Sequence, residues 1–151
     1  MSTSTSSTPR TLVQKIISHA SGIQLPQPGT IATAKVDLAM IHDSGGPRRV
    51  EPIMDQLGVS VWDPSRVIVV SDHYVPAVDA ESAAILDLTR KWVHAHGIAH
   101  HYDMQGICHV VLPERGHLRP GLFVVGGDSH SPTGGAFGCL MFGVGATDMA
   151  G

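Results

Sequence analysis

The chain has 151 residues, of which 42% are hydrophobic and 15% are charged, a composition typical of one globular domain rather than of a disordered segment. Its formal net charge of -3 provides no basic surface, so nucleic acid is not an expected partner. No apolar run approaches the roughly 20 residues of a membrane-spanning helix, and the Ser/Thr-rich start lacks the apolar core of a secretory signal. We therefore expect a cytoplasmic protein with no membrane partner and a disordered tail over residues 1–10.

The first elements predicted are a helix, an extended segment and a second helix. Thr11 and Gln14 have the spacing of a capping box, which starts a helix, and Gly22 can end it. Residues 31–41 predict an extended segment. Pro47 suits the first turn of the next helix.

The middle of the chain alternates strands with helices. Residues 66–70, Arg-Val-Ile-Val-Val, contain a continuous β-branched run, which is typical of a strand buried on both faces of a parallel sheet. Asp79 caps a predicted helix over residues 80–96, and residues 99–102 predict another strand. Residues 107–112 are apolar apart from one histidine, and periodicity cannot separate a strand from a buried helix turn at this length.

The last part predicts a strand over residues 122–125 and a helix over residues 136–149, where several glycines would allow close helix packing. Strands that alternate with helices predict an α/β fold. We expect one domain over residues 11–151, with three layers and a mainly parallel sheet flanked by helices.

Three predicted strands end in an acid and a histidine, and the carboxyl ends of parallel strands meet at one edge of a sheet. A carboxylate orients a neighbouring imidazole and stabilises its protonated form, which suits general acid–base catalysis. A lone histidine, His109, is a fourth candidate. The strand ends are His42-Asp43, Asp72-His73 and Asp128-Ser129-His130.

Each of these features alone has a simpler explanation. An Asp-His dipeptide after a strand is more often a turn, and His109 alone is more often a core histidine. Residues 127–131 also lack the glycine spacing of a nucleophile elbow. The coincidence of three acid/histidine strand ends nevertheless favours a site, and the glycines over 126–138 indicate close approach of the backbone to a ligand.

The segment from Gly127 to Gly138, Gly-Asp-Ser-His-Ser-Pro-Thr-Gly-Gly-Ala-Phe-Gly, resembles the aconitase/3-isopropylmalate dehydratase superfamily. The segments Ser-Asp-His-Tyr-Val-Pro at 71–76, Gln-Gly-Ile-Cys-His at 105–109 and Gly-Val-Gly-Ala-Thr-Asp at 143–148 match in the same order. The resemblance runs from about residue 11 to residue 151. It implies an aconitase-like domain, expected to be the truncated N-terminal part of a large subunit.

The resemblance implies a hydro-lyase that acts on a hydroxy di- or tricarboxylic acid such as 3-isopropylmalate, with a [4Fe-4S] cluster as Lewis acid. It implies that the imidazole of the Asp72-His73 pair helps to protonate the leaving hydroxyl. His109 and Asp128 are implied to form a second pair near the cluster and the substrate. Ser129 and His130 are implied to hold the substrate or a cluster-bound water. The implied catalytic residues are Asp72, His73, His109, Asp128 and His130, and the implied substrate-binding residues are His42 and Ser129.

The resemblance also implies what this chain does not supply. The family's three cluster cysteines lie further along the chain, and Cys108 and Cys139 do not match them, so both are predicted to be small buried residues. We expect no metal ligand or cluster on this chain alone. A small subunit or a C-terminal swivelling domain is the implied partner, which would provide the base and the substrate-selecting arginines.

Two other functions stay open at this point. Histidines and carboxylates are good ligands for zinc or iron, so His42, His73, His109 and His130 could instead serve a mononuclear metal hydrolase. A catalytically inactive interaction module that keeps the fold without the cluster is the third possibility.

Overall fold

Five strands form a single sheet in the computed structural model, which describes residues 9–151. All four pairs of neighbouring strands are parallel. In chain order the elements are α1 (Leu12–Ser21), β1 (Leu38–His42), α2 (Pro47–Leu57), β2 (Val67–Ser71), α3 (Ala80–Ala95), β3 (His100–Asp103), α4 (Cys108–Glu114), β4 (Phe123–Gly126), β5 (Leu140–Gly143) and α5 (Ala146–Ala150). The predicted α/β fold with a parallel sheet is confirmed.

The strand order is β3-β2-β1-β4-β5, which places β1 at the centre. His42 of β1 lies opposite Val70 of β2, and Met40 of β1 lies opposite Gly126 of β4. The chain adds β2 and β3 on one side of β1 and then crosses to add β4 and β5 on the other. Ligands of open parallel sheets bind beyond the carboxyl ends of the strands where the strand order reverses in this way.

Each face of the sheet has its own apolar core, which accounts for the continuous apolar runs of the strands. Successive side chains of a strand point to opposite faces. Met40 and Ile68 accordingly pack in one core with Leu112 of α4. Ile41 packs in the other with Trp92 of α3. The sheet is therefore the middle of three layers.

The predicted helix caps are present. The Thr11 hydroxyl accepts the Gln14 N–H at 3.1 Å, and the Gln14 side chain accepts the Thr11 N–H at 3.0 Å. Gly22 ends α1 with a φ of 77°, in the left-handed region that favours glycine. Asp79 caps α3 by accepting the Ser82 N–H at 2.7 Å. These short-range signals therefore located the helix ends correctly.

The helix predicted over residues 136–149 is wrong. A 3-10 helix over Ser131–Phe137 leads into β5, and only the short α5 follows. The glycines instead allow the loop after β4 to lie against β5. A Cβ at Gly143 would overlap the backbone of Asp128, and one at Gly134 would lie 2.8 Å from the Met141 Cβ.

The extended segment predicted over residues 31–41 is a strand only from Leu38 onward, and Ile31 is 98% exposed. The tail predicted over residues 1–10 lies outside the described residues except for Pro9 and Arg10, and it stays a prediction. Within residues 9–151, none of the helices has the length and apolarity needed to cross a bilayer.

Replacing Gly143 by Ala should destabilise the protein by about 1–3 kcal/mol, because the added methyl group must displace the Asp128 backbone. Gly135→Ala is the matched control, since no atom lies within 4 Å of the Cβ position there. Urea denaturation of both variants measures the difference. Equal stability of the two variants would contradict this account of the glycines.

Candidate active site

The ends of β1, β2 and β4 bring their histidines and acids together at one edge of the sheet. The His42 and His73 rings stack with centroids 4.0 Å apart and planes 15° apart. The His42 Nε2 atom lies 3.4 Å from the Asp128 carboxylate, and the His109 Nε2 atom lies 3.0 and 3.1 Å from its two oxygens. The sequence-based expectation that these residues share one crevice therefore agrees with the geometry.

Asp72 and His73 form a hydrogen-bonded pair after β2. The His73 Nδ1 atom lies 2.6 Å from one Asp72 oxygen. The Asp72 side chain is 6% exposed and the His73 side chain 44% exposed. A carboxylate can only accept, so Nδ1 carries the hydrogen of the neutral ring. The imidazole is thus held by its buried partner while its Nε2 atom is not part of that hydrogen bond.

The second oxygen of Asp72 accepts the Cys108 N–H at 2.6 Å. Cys108 is the first residue of α4, and its N-cap residue, Ile107, provides no side-chain cap. The carboxylate from β2 therefore satisfies one of the free N–H groups at the start of this helix. This long-range contact supports a helix where the local pattern was ambiguous, and the helix carries His109.

Asp128 joins three parts of the site. One oxygen accepts the His130 N–H at 2.7 Å and lies 3.4 Å from the Ser131 hydroxyl. Burial opposes ionisation of Asp128, but the His130 N–H and the nearby His109 outweigh it, so the pKa of Asp128 lies below its usual value. Asp128 is therefore an anion beside the rings of His109 and His42.

His42 is buried. Burial is the largest cause of its lowered pKa, and the stacked His73 is the second. Its Nδ1 atom lies 2.9 Å from the Ser44 hydroxyl and 3.4 Å from the Gly45 N–H. The Gly45 N–H can only donate, which puts the hydrogen of the neutral ring on Nε2. Within residues 9–151, His42 Nε2 is a buried polar atom without a hydrogen-bond partner, and it faces the Asp128 carboxylate at 3.4 Å.

Asp43 is the residue whose hydrogen-bond partners the sequence did not predict. It follows His42 directly, yet its fully buried carboxylate bonds to the turn after β2. It accepts the Tyr74 N–H at 2.9 Å and the His73 N–H at 3.1 and 3.2 Å. No local pattern marks this contact, and its only sequence signal is an acid directly after a central apolar strand.

Ser129 and His130 are exposed and lie directly after Asp128. The His130 ring is 6.2 Å from the His109 ring, measured between centroids. The glycines in this segment make room for neighbouring parts of the protein as well as for a ligand. A Cβ at Gly126 would overlap the side chain of Ser131, so this glycine lets the loop fold against its own strand.

The two cysteines do not fit an iron-sulfur cluster. Both are buried, as predicted. Burial and the neighbouring Asp72 raise the pKa of Cys108, and burial raises that of Cys139, whose thiol bonds to the Arg119 carbonyl at 3.2 Å. A [4Fe-4S] cluster needs more thiolate ligands than two cysteines provide, and both thiols are buried in the core.

Two groups of side chains have atoms close enough to share a metal ion, His42-Asp43-Asp72-His73 and Cys108-His109-Asp128. In the first group, Asp43 and Asp72 accept backbone N–H groups, and Asp72 also bonds His73. In the second group, both Asp128 oxygens contact His109. The bonds of Asp72 to His73 and of Asp128 to His109 each pair an imidazole with a carboxylate, which is the arrangement of an acid–base pair.

Comparison with known families agrees with the arrangement of these residues. A family model described as the aconitase family (aconitate hydratase) matches residues 14–151. The match therefore includes every residue of the crevice.

Individual relatives are similar over nearly the whole chain. The 3-isopropylmalate dehydratase large subunit 1 of Methanopyrus kandleri is 47% identical over 143 residues, which cover 93% of this chain and 34% of that protein. A probable methanogen homoaconitase large subunit of Methanothermobacter thermautotrophicus is 44% identical, with 92% and 34% covered. The 3-isopropylmalate dehydratase large subunit of Herpetosiphon aurantiacus is 42% identical, with 93% and 34% covered. The chain thus spans about a third of the length of these curated relatives.

The free energy of unfolding should fall as the pH falls through about 6.5, the ordinary value for histidine. Burial lowers the pKa of His42, His101 and His117 in the folded protein. The unfolded chain therefore binds more protons than the folded chain near that pH, and acid favours unfolding. Urea denaturation at several pH values between about 7.5 and about 5.5 measures this dependence.

His42→Gln should weaken that pH dependence, whereas His94→Gln, on the exposed face of α3, should keep it. A stability that is constant or rises toward acid pH would contradict the assignment of neutral buried histidines.

Proposed function

The chain belongs to the aconitase family, and from this premise we propose that it forms the acid–base wall of a hydro-lyase that acts on a hydroxy di- or tricarboxylic acid. The observation that carries the proposal is the meeting of two carboxylate–imidazole pairs at one sheet edge. Asp72 bonds His73, and Asp128 bonds His109. Removal of water needs a group that protonates the departing hydroxyl, and such pairs are suited to that step.

His73 is the proposed proton donor. Its Nδ1 atom is held by Asp72, so the opposite ring nitrogen can give a proton to the leaving hydroxyl and take it back when water is added. The ring is partly exposed, so a substrate can reach it. The imidazole gives this proton from its charged form.

The pair formed by His109 and Asp128 is proposed to act on the other side of the same substrate. Asp128 is ionised and lies next to His42. In the proposal, His42 binds the substrate when a substrate oxygen displaces the contact between its buried Nε2 atom and Asp128. In the proposal, Ser129 and His130 bind the substrate or the departing water from the exposed side.

A [4Fe-4S] cluster, the cofactor that the family implies, would supply Lewis-acid activation of the hydroxyl in the complete enzyme. Cys108 and Cys139 are neutral core residues and do not fit its thiolate ligands. The proposal therefore places the cluster ligands in the part of the enzyme that corresponds to the rest of the relatives' length.

The proposed substrate class follows from the relatives, which are named as 3-isopropylmalate dehydratase and homoaconitase large subunits. Both names support a hydroxy acid with at least two carboxylates. A large subunit also supports a small-subunit partner, which we propose provides the base and the cationic groups for these carboxylates. Among the possible substrates, we propose a 3-isopropylmalate type, which is the example that the resemblance implied and the substrate in the names of two of these relatives.

The test uses the chain within a complete large subunit assembled with its small subunit. The rate of hydration of the unsaturated acid is measured from the loss of its ultraviolet absorbance. This rate should fall by about 10²-fold or more in His73→Asn and Asp128→Asn, because an acid–base group is lost. His94→Gln, on the exposed face of α3, is the control and should keep the activity. Unchanged turnover in both site variants would overturn the assignment.

Metal analysis of the same assembly separates the alternatives. Iron and sulfide with visible absorbance support the hydro-lyase. Stoichiometric zinc without sulfide would instead support the mononuclear metal hydrolase, and binding of a substrate analogue without any turnover would support an inactive module.

A further inference from the structure

The carboxylate of Asp43 is fully buried beside the proposed proton donor. Its oxygens accept the N–H groups of His73 and Tyr74, and one of them lies 3.7 Å from the His73 Nδ1 atom. Within residues 9–151, no lysine or arginine nitrogen lies within 4.0 Å of it, and His73 is its one ion-pair partner. A buried charge is costly unless hydrogen bonds compensate it, so these contacts with the turn are what make the position of Asp43 possible.

The contacts of Asp43 link the two strands at the centre of the site. The N–H of Asp43 donates to the Val70 carbonyl of β2 at 3.1 Å. Its carboxylate accepts the N–H groups of His73 and Tyr74, in the turn that follows β2. The turn after β2 is therefore fixed to the end of β1 from both the backbone and the side chain of one residue. The Oδ2 atom accepts from both N–H groups, and the Oδ1 atom shares the His73 N–H, so both oxygens of the carboxylate take part.

We propose that Asp43 is a positioning residue for the reaction: its carboxylate fixes the backbone of His73 so that the imidazole stays stacked on His42 and open to the crevice. Asp72 holds the His73 ring through Nδ1, and Asp43 holds the same residue through its N–H. The carboxylate of Asp72 thus fixes the orientation of the His73 ring, and the carboxylate of Asp43 fixes the position of the His73 backbone. This inference rests on the proposed role of His73 as proton donor.

Asp43→Asn is the direct variant. An amide has one acceptor oxygen where the carboxylate has two, and its NH₂ group would face a backbone N–H. Asp37→Asn is the matched control, because Asp37 also accepts a backbone N–H, that of Phe123 at 2.9 Å, but does so just before β1, at the opposite edge of the sheet. A change that both variants share reports general stability, and a change confined to Asp43→Asn reports positioning.

Two NMR measurements on the 151-residue chain test the positioning itself. In Asp43→Asn, the His73 and Tyr74 amides should exchange about tenfold faster, since they lose a charged acceptor. The nuclear Overhauser contact between the stacked His42 and His73 rings should weaken or disappear. Both signals should stay unchanged in Asp37→Asn. Wild-type exchange rates and ring contacts in Asp43→Asn would overturn the inference.

If Asp43→Asn does not fold, the wild-type chain still provides a test. The His73 and Tyr74 amides should then exchange about tenfold or more slowly than the amide of the exposed Ala77 in the same connection. Equal exchange at these three amides would overturn the inference.

The assembled enzyme adds a kinetic measurement. Asp43→Asn should lower kcat about tenfold or more with little change in KM, because a misplaced donor weakens the transition state more than the bound substrate. Asp37→Asn should keep both constants. Absence of hydro-lyase activity in the wild-type assembly would overturn the proposed function, whereas normal kcat in Asp43→Asn beside an active wild type would overturn the positioning role alone.

Discussion

The parallel pairing of β1 with β2 on one side and β4 on the other is the constraint on which the rest of this structure depends. Because the strands are parallel, the carboxyl ends of all five lie at the same edge, and each connection must cross over to return to the other edge. Because the chain changes direction across the sheet at β1, no crossover helix needs to cover the space above the ends of β1 and β4. His42 and Asp128 meet in that space.

The acids at this edge serve the fold and the proposed chemistry with the same carboxylate groups. Asp72 accepts an N–H at the start of α4 and also orients His73. Asp128 accepts an N–H of its own loop and also contacts His109. Each carboxylate is thus held in place by backbone donors before it acts on an imidazole. This preorganisation lowers the cost of placing charges close together in a partly buried crevice.

Sequence-based prediction succeeded where the responsible interaction is short in sequence. The capping of α1 by Thr11 and of α3 by Asp79 depends on residues three positions away, so these ends could be located from the pattern alone. It failed over residues 136–149, because a glycine beside apolar residues looks the same whether it faces another helix or a loop. Gly143 is next to the Asp128 backbone, a contact that no local pattern contains.

By itself, the sequence determined the fold class, the three acid/histidine strand ends, the buried cysteines and the family resemblance, since each is written in composition or in contiguous motifs. Only the tertiary structure decided how those residues pair. Asp43 bonds to a turn 30 residues away rather than acting with the adjacent His42, because neighbouring side chains at a strand end point in opposite directions. His42 in turn stacks on His73 and faces Asp128. The site residues were predictable because they stand in short contiguous motifs. Their partners were not predictable, because the pairing of the strands determines which motifs lie next to each other.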